Sequence, residues 1–159
     1  MSEKPQLLIV DDHEEMLETL SDVLQEKGYR VETARTGEEA IEKARTHFFN
    51  VALIDIKLPD MLGLDVLRTF REKYPSRMNI MITGYATLQN SVEALNLGAN
   101  AYIMKPIDFS RLESIIAECL KKQQEALKIT QEKVAEFAEE VMLAKEGKWE
   151  KSDKPTALV

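Results

Sequence analysis

The segment LLIVDD at residues 7–12, read beside VALID at 51–55, decides the fold of this chain. In both, an apolar run ends in acid: Asp11-Asp12 close the first and Asp55 the second. NIMI at 79–82 ends in the same way at Thr83, and AYIM at 101–104 is followed by Lys105-Pro106. Short aliphatic runs of this kind read as strands buried on both faces of a parallel sheet. The C-terminal ends of parallel strands lie side by side, so polar groups far apart in sequence meet in one crevice. Three carboxylates, a hydroxyl and an ammonium gathered there suit a divalent cation and a phosphoryl group.

Amphipathic stretches of helical period separate the runs. Strands are predicted near 6–11, 30–34, 50–55, 78–83 and 100–104, with helices about 14–27, 37–47, 63–73 and 86–97. Met16, Leu17, Leu20, Val23 and Leu24 share one face of the first helix, and Gly28 stands past its end as a stop. Right-handed crossovers then give an α/β, flavodoxin-like doubly wound sheet of five parallel strands in the order 2-1-3-4-5, with an extended C-terminal helix. No Gly or Pro interrupts that last helix from Phe109 to Glu146, and Gly147 is its first terminator. Leu112, Ile115, Ile116 and Cys119 cover the sheet. Beyond them Leu120, Leu127, Val134 and Val141 form one half of a heptad seam, while Gln123, Thr130, Phe137 and Ala144 make a mixed second half. A dimeric coiled coil, a solitary extended helix and a helix folded back on its own domain stand as alternatives. The expected domains are 1–120, the helix extension 121–147, and a disordered tail 148–159 that includes Trp149.

The formal net charge of -7 falls on residues 1–120, which carry 13 Lys+Arg against 20 Asp+Glu, whereas residues 121–159 carry 8 of each. Neither part offers the basic patch that phosphate backbones require, which argues against direct nucleic-acid binding. Cys119 is the only cysteine and forms no intramolecular disulfide. Four successive aliphatics near the N-terminus are too few for a signal peptide, and no run approaches the ~18 apolar residues of a membrane span. A cytoplasmic protein without membrane insertion is expected.

Three clustered carboxylates repel one another, and a hard cation such as Mg²⁺ relieves the repulsion through oxygen ligands. Lys105 adds a second positive charge. Asp55, isolated at its strand end, is the candidate nucleophile for an aspartyl phosphate. The Thr83 hydroxyl and Lys105 would position the phosphoryl group, and Gly84 would leave space for it. Pro59 and Gly63 shape the loop after Asp55, where the Lys57 carbonyl adds a candidate metal ligand. A cis bond before Pro106 would aim Lys105 into the pocket.

Asp11-Asp12, the D-x-x-x-P of 55–59 with Gly63, Thr83-Gly84 and Lys105-Pro106 together resemble the receiver domain of two-component response regulators over roughly residues 5–120. The resemblance implies that Asp55 accepts a phosphoryl group from a sensor histidine kinase or phosphotransfer protein. It implies Mg²⁺ bound by Asp12 and Asp55 directly, by the Lys57 carbonyl, and by Asp11 through water, with Thr83 and Lys105 on the phosphoryl oxygens. Tyr102 matches the family's aromatic switch, and Lys57 and Tyr85 sit where the family tunes aspartyl-phosphate lifetime. No basic helix-turn-helix or second core is read after residue 120, so the expected output is protein contact or homodimerisation through the last helix. The chain is then no enzyme beyond assisting its own phosphotransfer and dephosphorylation. A haloacid-dehalogenase-type phosphohydrolase would carry D-x-D-x-T after strand 1, and a flavodoxin would not place two acids at a flavin phosphate. His13 and His47 read as solvated bystanders.

Overall fold

A computed structural model of the protein, describing residues 3–145, sets five strands side by side and all parallel. They are β1 (Gln6–Val10), β2 (Arg30–Ala34), β3 (Val51–Asp55), β4 (Met78–Thr83) and β5 (Ala101–Met104), in the order β2-β1-β3-β4-β5. Register fixes the site: Val10 pairs with Ile54, Asp55 with Ile82, and Thr83 with Met104, so the strand ends align along one rim. The helices are α1 (Glu14–Glu26), α2 (Gly37–Thr46), α3 (Gly63–Lys73), α4 (Leu88–Asn96) and α5 (Phe109–Lys145).

Alternation along each strand divides the core between the two faces of the sheet. Leu7, Ile9, Leu53, Ile80 and Ile82 pack with Leu17, Leu20 and Leu24 of α1 and Leu112, Ile116 and Cys119 of α5. Leu8, Val10, Ile54 and Met81 pack on the other face with Ala40 and Ala44 of α2, Leu67 and Phe70 of α3, and Ala94 of α4. Each fully buried aliphatic side chain contributes about 1.5–3 kcal/mol. This burial drives the helices onto a sheet whose strands read as continuously apolar.

The predicted elements match to within one or two residues. The largest offset is α4, which begins at Leu88 rather than 86. Thr87 is its extended N-cap, and its hydroxyl accepts from Asn90 N–H at 3.0 Å. Gly147, Trp149 and the predicted tail 148–159 lie outside the described residues. The chain divides between Lys121 and Lys122 into two units. The described part of the second is helical and exposes Leu127, Ile129, Val134, Phe137 and Met142.

One cap spans the fold. Asp60, in the loop after β3, accepts from the Gly37 and Glu38 amides with its two carboxylate oxygens, each at 2.9 Å. These are orphan donors at the start of α2, so a distant carboxylate caps that helix alongside Thr36, whose hydroxyl accepts from Glu39 N–H. Asp60→Ala is expected to lower unfolding stability by about 1 kcal/mol, the usual loss of a helix cap. Urea denaturation of the full chain measures it, and Asp60→Asn should lose less.

At the opposite rim, asparagines preceding two strands reach back to their neighbours. Asn50 Oδ1 accepts from Gln6 N–H at 2.9 Å, and Asn100 Oδ1 accepts from Asn79 N–H at 2.8 Å.

Candidate functional site

Asp11 follows β1, Asp55 ends β3, and Lys105 follows β5, so parallel pairing delivers all three to one rim. Lys105 Nζ donates to Asp11 Oδ2 at 2.8 Å and to Asp55 Oδ2 at 2.9 Å. Both carboxylates are buried, at 3% and 4% exposure, so one ammonium serves two acids largely shut off from water. The Lys105–Pro106 bond is cis.

The remaining carboxylate oxygens meet backbone amides. His13 N–H donates to Asp11 Oδ1 at 2.8 Å, and Lys57 N–H donates to Asp55 Oδ1 at 3.2 Å. The two acids respond differently. Burial pushes the Asp11 carboxyl up, but hydrogen bonds from Lys105, the His13 amide and the His13 ring outweigh it and hold the group below its ordinary value. At Asp55 burial wins: the carboxyl is pushed up despite the Lys105 hydrogen bond and charge, and Asp11 adds to the rise. Burial would lower Lys105, yet its bonds to Asp11 and Asp55 raise it, so it stays protonated. Paired groups driven apart by their surroundings divide chemical roles. Of the two, Asp55 carries the less stabilised negative charge.

Asp12, His13, Asp55, Lys57, Leu58, Pro59, Gly84, Tyr85 and Lys105 line an open cleft of about 510 Å³ above these acids. Lys57 Nζ stands over the Tyr85 ring, 4.3 Å from its centroid, so the two side chains meet at the cleft. Thr83 is fully buried at the end of β4, and its hydroxyl accepts from Tyr85 N–H at 2.9 Å. Among the predicted site residues, Tyr102 lies apart, lining a separate groove with Thr87, Leu88, Met104 and Arg111.

The donors fit a hard divalent cation. Asp12 Oδ1 is buried without a hydrogen bond, and ligand atoms of Asp11, Asp12, His13 and Asp55 all lie within 4.8 Å of one another. Three carboxylates against the ammoniums of Lys105 and Lys57 leave negative charge that a cation would balance. His13 belongs to this group although sequence reading set it aside as a bystander. Its position directly after Asp11-Asp12, ahead of α1, was the available signal.

Comparison with known proteins places this geometry in context. Residues 7–117 match the family profile described as response regulator receiver domain. The photosynthetic apparatus regulatory protein RegA of Rhodovulum sulfidophilum is 39% identical over 110 residues, covering 68% of this chain and 59% of that protein. A CheY-like response regulator receiver domain protein from Methanospirillum hungatei, solved by crystallography, is 45% identical with a TM-score of 0.76 over 77% of this chain and 98% of that one. The response regulator TrrA of Thermotoga maritima, crystallised with Mg²⁺ and BeF, is 30% identical with a TM-score of 0.67 over 72% of this chain and 98% of that one. The chain spans 26% to 59% of the length of the curated relatives it matches.

Proposed function

Since the chain belongs to the response regulator receiver domain family, we propose that Asp55 accepts a phosphoryl group from a histidine kinase or phosphotransfer protein. The observation that carries this reading is Asp55 itself: a buried carboxylate, raised by burial, bonded to Lys105 at 2.9 Å and opening on a cleft. An Asp55 oxygen attacks phosphorus as the donor's bond to phosphorus breaks. Lys105, already bonded to that carboxylate, follows the charge onto the phosphoryl oxygens, and Gly84 leaves room for them. Asp12, Asp55, the Lys57 carbonyl and, through water, Asp11 would hold Mg²⁺. The bound cation would offset the charge that the phosphoryl group brings. The test is intact mass after incubation with a small-molecule phosphodonor and Mg²⁺: one phosphoryl group should appear on the wild-type chain and none when Mg²⁺ is chelated.

Thr83 is the proposed switch. Its hydroxyl gives up the Tyr85 amide to reach the phosphoryl group, and Tyr102 moves into the space released. Loss of phosphate is assisted by the same residues, without action on a separate substrate. Lys57 and Tyr85, in contact beside the cleft, shield the phosphoryl group from water. A Lys57→Ala, Tyr85→Ala double variant is therefore expected to lose phosphate several-fold faster, as followed by decay of the phosphorylated mass. An unchanged or slower decay overturns the shielding role.

Residues 1–120 would form the receiver, in the cytoplasm, with 121–147 as an extension that pairs two copies. The support is an apolar series, Leu127, Val134 and Phe137, exposed on α5 beyond Leu112, Ile116 and Cys119, which it buries. Phosphorylation would then alter how two copies pack along it, with protein contact rather than nucleic acid as the output. A Val134→Asp, Phe137→Asp variant should sediment as monomer at concentrations where wild type is dimeric, since charge at seam positions is incompatible with a buried interface. Wild type sedimenting as a monomer with and without a phosphoryl analogue counts against the dimer.

A further inference from the structure

The His13 ring, which hydrogen-bonds Asp11, has no part in the phosphoryl transfer above. Its ring Nδ1 lies 2.9 Å from Asp11 Oδ1 and 3.3 Å from Asp12 Oδ1. Asp12 Oδ1 is shut off from solvent and makes no hydrogen bond. Adjacent ligands on an octahedral ion with bonds of about 2.1 Å stand about 3 Å apart. The imidazole nitrogen and two carboxylate oxygens are thus already spaced as neighbouring ligands, with an Asp55 oxygen in the same group. A cation entering this space would displace the Nδ1–H that Asp11 accepts, leaving the neutral tautomer protonated at Nε2 with its Nδ1 lone pair turned to the ion.

The ring's structural contact is its hydrogen bond to Asp11 at 2.9 Å. His13 is the N-cap of α1 yet gives no side-chain capping bond, and its side chain is 66% exposed. We propose that His13 Nδ1 is a ligand of the acidic cleft, which gives this site a nitrogen–oxygen donor set and a preference for borderline transition ions over Mg²⁺. The inference rests on reading the cleft as a divalent-cation site. Mg²⁺ takes oxygen ligands and gains little from imidazole, whereas Co²⁺, Ni²⁺ and Zn²⁺ bind it well. Carboxylates alone would rank these ions less steeply.

The full chain is titrated calorimetrically with Mg²⁺ alone and with Co²⁺ alone, for wild type, His13→Asn and His47→Asn. Asparagine is a favoured N-cap, so His13→Asn should keep α1 intact. The expected result is a Co²⁺ affinity at least about tenfold weaker in His13→Asn, the lower end of what losing even an outer-shell partner costs, with Mg²⁺ binding little changed. Proton NMR of the Co²⁺-loaded chain should show hyperfine-shifted imidazole ring signals in wild type and His47→Asn that vanish in His13→Asn. An equal ratio of Co²⁺ to Mg²⁺ affinity in wild type and His13→Asn, or no shifted ring signals in wild type, overturns the assignment while leaving the Mg²⁺ site standing. A wild-type chain that binds neither ion overturns both.

Discussion

An Asp55→Asn chain incubated with Mg²⁺ and a small phosphodonor is expected to gain no phosphoryl mass under conditions in which wild type gains one group. The amide keeps the shape of the side chain but is not a nucleophile towards phosphorus. The loss should be complete rather than partial, because no other carboxylate at the rim has the same surroundings. Asp11 is bound to Lys105 and to His13 and held below its ordinary value, so it is a poorer nucleophile. The variant should still fold. Lys105 retains Asp11 at 2.8 Å, and the substitution removes a charge that burial disfavours, so the denaturation midpoint at neutral pH is expected at or above that of wild type. Phosphoryl mass persisting on the folded variant would remove Asp55 as the acceptor.

The largest expected effect on stability comes from a single methyl group. A Cβ at position 63 would stand 2.0 Å from the Asp55 carbonyl oxygen and 2.8 Å from its carbon, both backbone atoms that cannot swing aside. The loop after β3 folds back on itself there: Gly63 N–H donates to the Ile56 carbonyl at 2.6 Å, and Lys57 bridges to Leu62. Gly63→Ala must therefore displace the strand end that carries Asp55. A loss of roughly 4 kcal/mol or more is expected, at the extreme of single substitutions and a large share of the ~5–15 kcal/mol that holds a domain together. Urea denaturation would read it as a collapse of the midpoint. Gly84→Ala is the internal control. A Cβ there meets only Lys105 Cδ at 3.9 Å, an ordinary contact, so stability should shift by no more than about 0.5 kcal/mol.

How much of this was legible in the sequence depended on the range of the interaction. β1, β3 and β4 announce themselves because strands buried on both faces are continuously apolar, and the parallel topology then brings Asp11, Asp55 and Lys105 together. α4 begins at Leu88 rather than 86 because Thr87, three residues before Asn90, supplies the cap that sets the boundary. Asp60 was unreadable in principle: it caps a helix 22 and 23 residues upstream, and no local pattern encodes that contact. Gly63 was legible as a loop former, but the close approach to Asp55 that requires glycine exists only in three dimensions. His13 was discounted as an exposed histidine. Its ring meets the acids because the turn into α1 carries it back across them, which exposure alone does not reveal.

The asparagine contacts at the far rim confine where this protein can give. Asn50 ties β1 to the residue preceding β3, and Asn100 ties β4 to the residue preceding β5, each through an amide that would otherwise fray. Strands stitched at their beginnings can splay only at their finishes, so chemistry at Asp55 should tilt the α4–β5 side about a fixed baseline. Amide exchange would display that anchoring directly: the Gln6 and Asn79 protons should exchange equally slowly in the phosphorylated and unphosphorylated protein, while the Tyr85 proton quickens once its hydroxyl partner is drawn away.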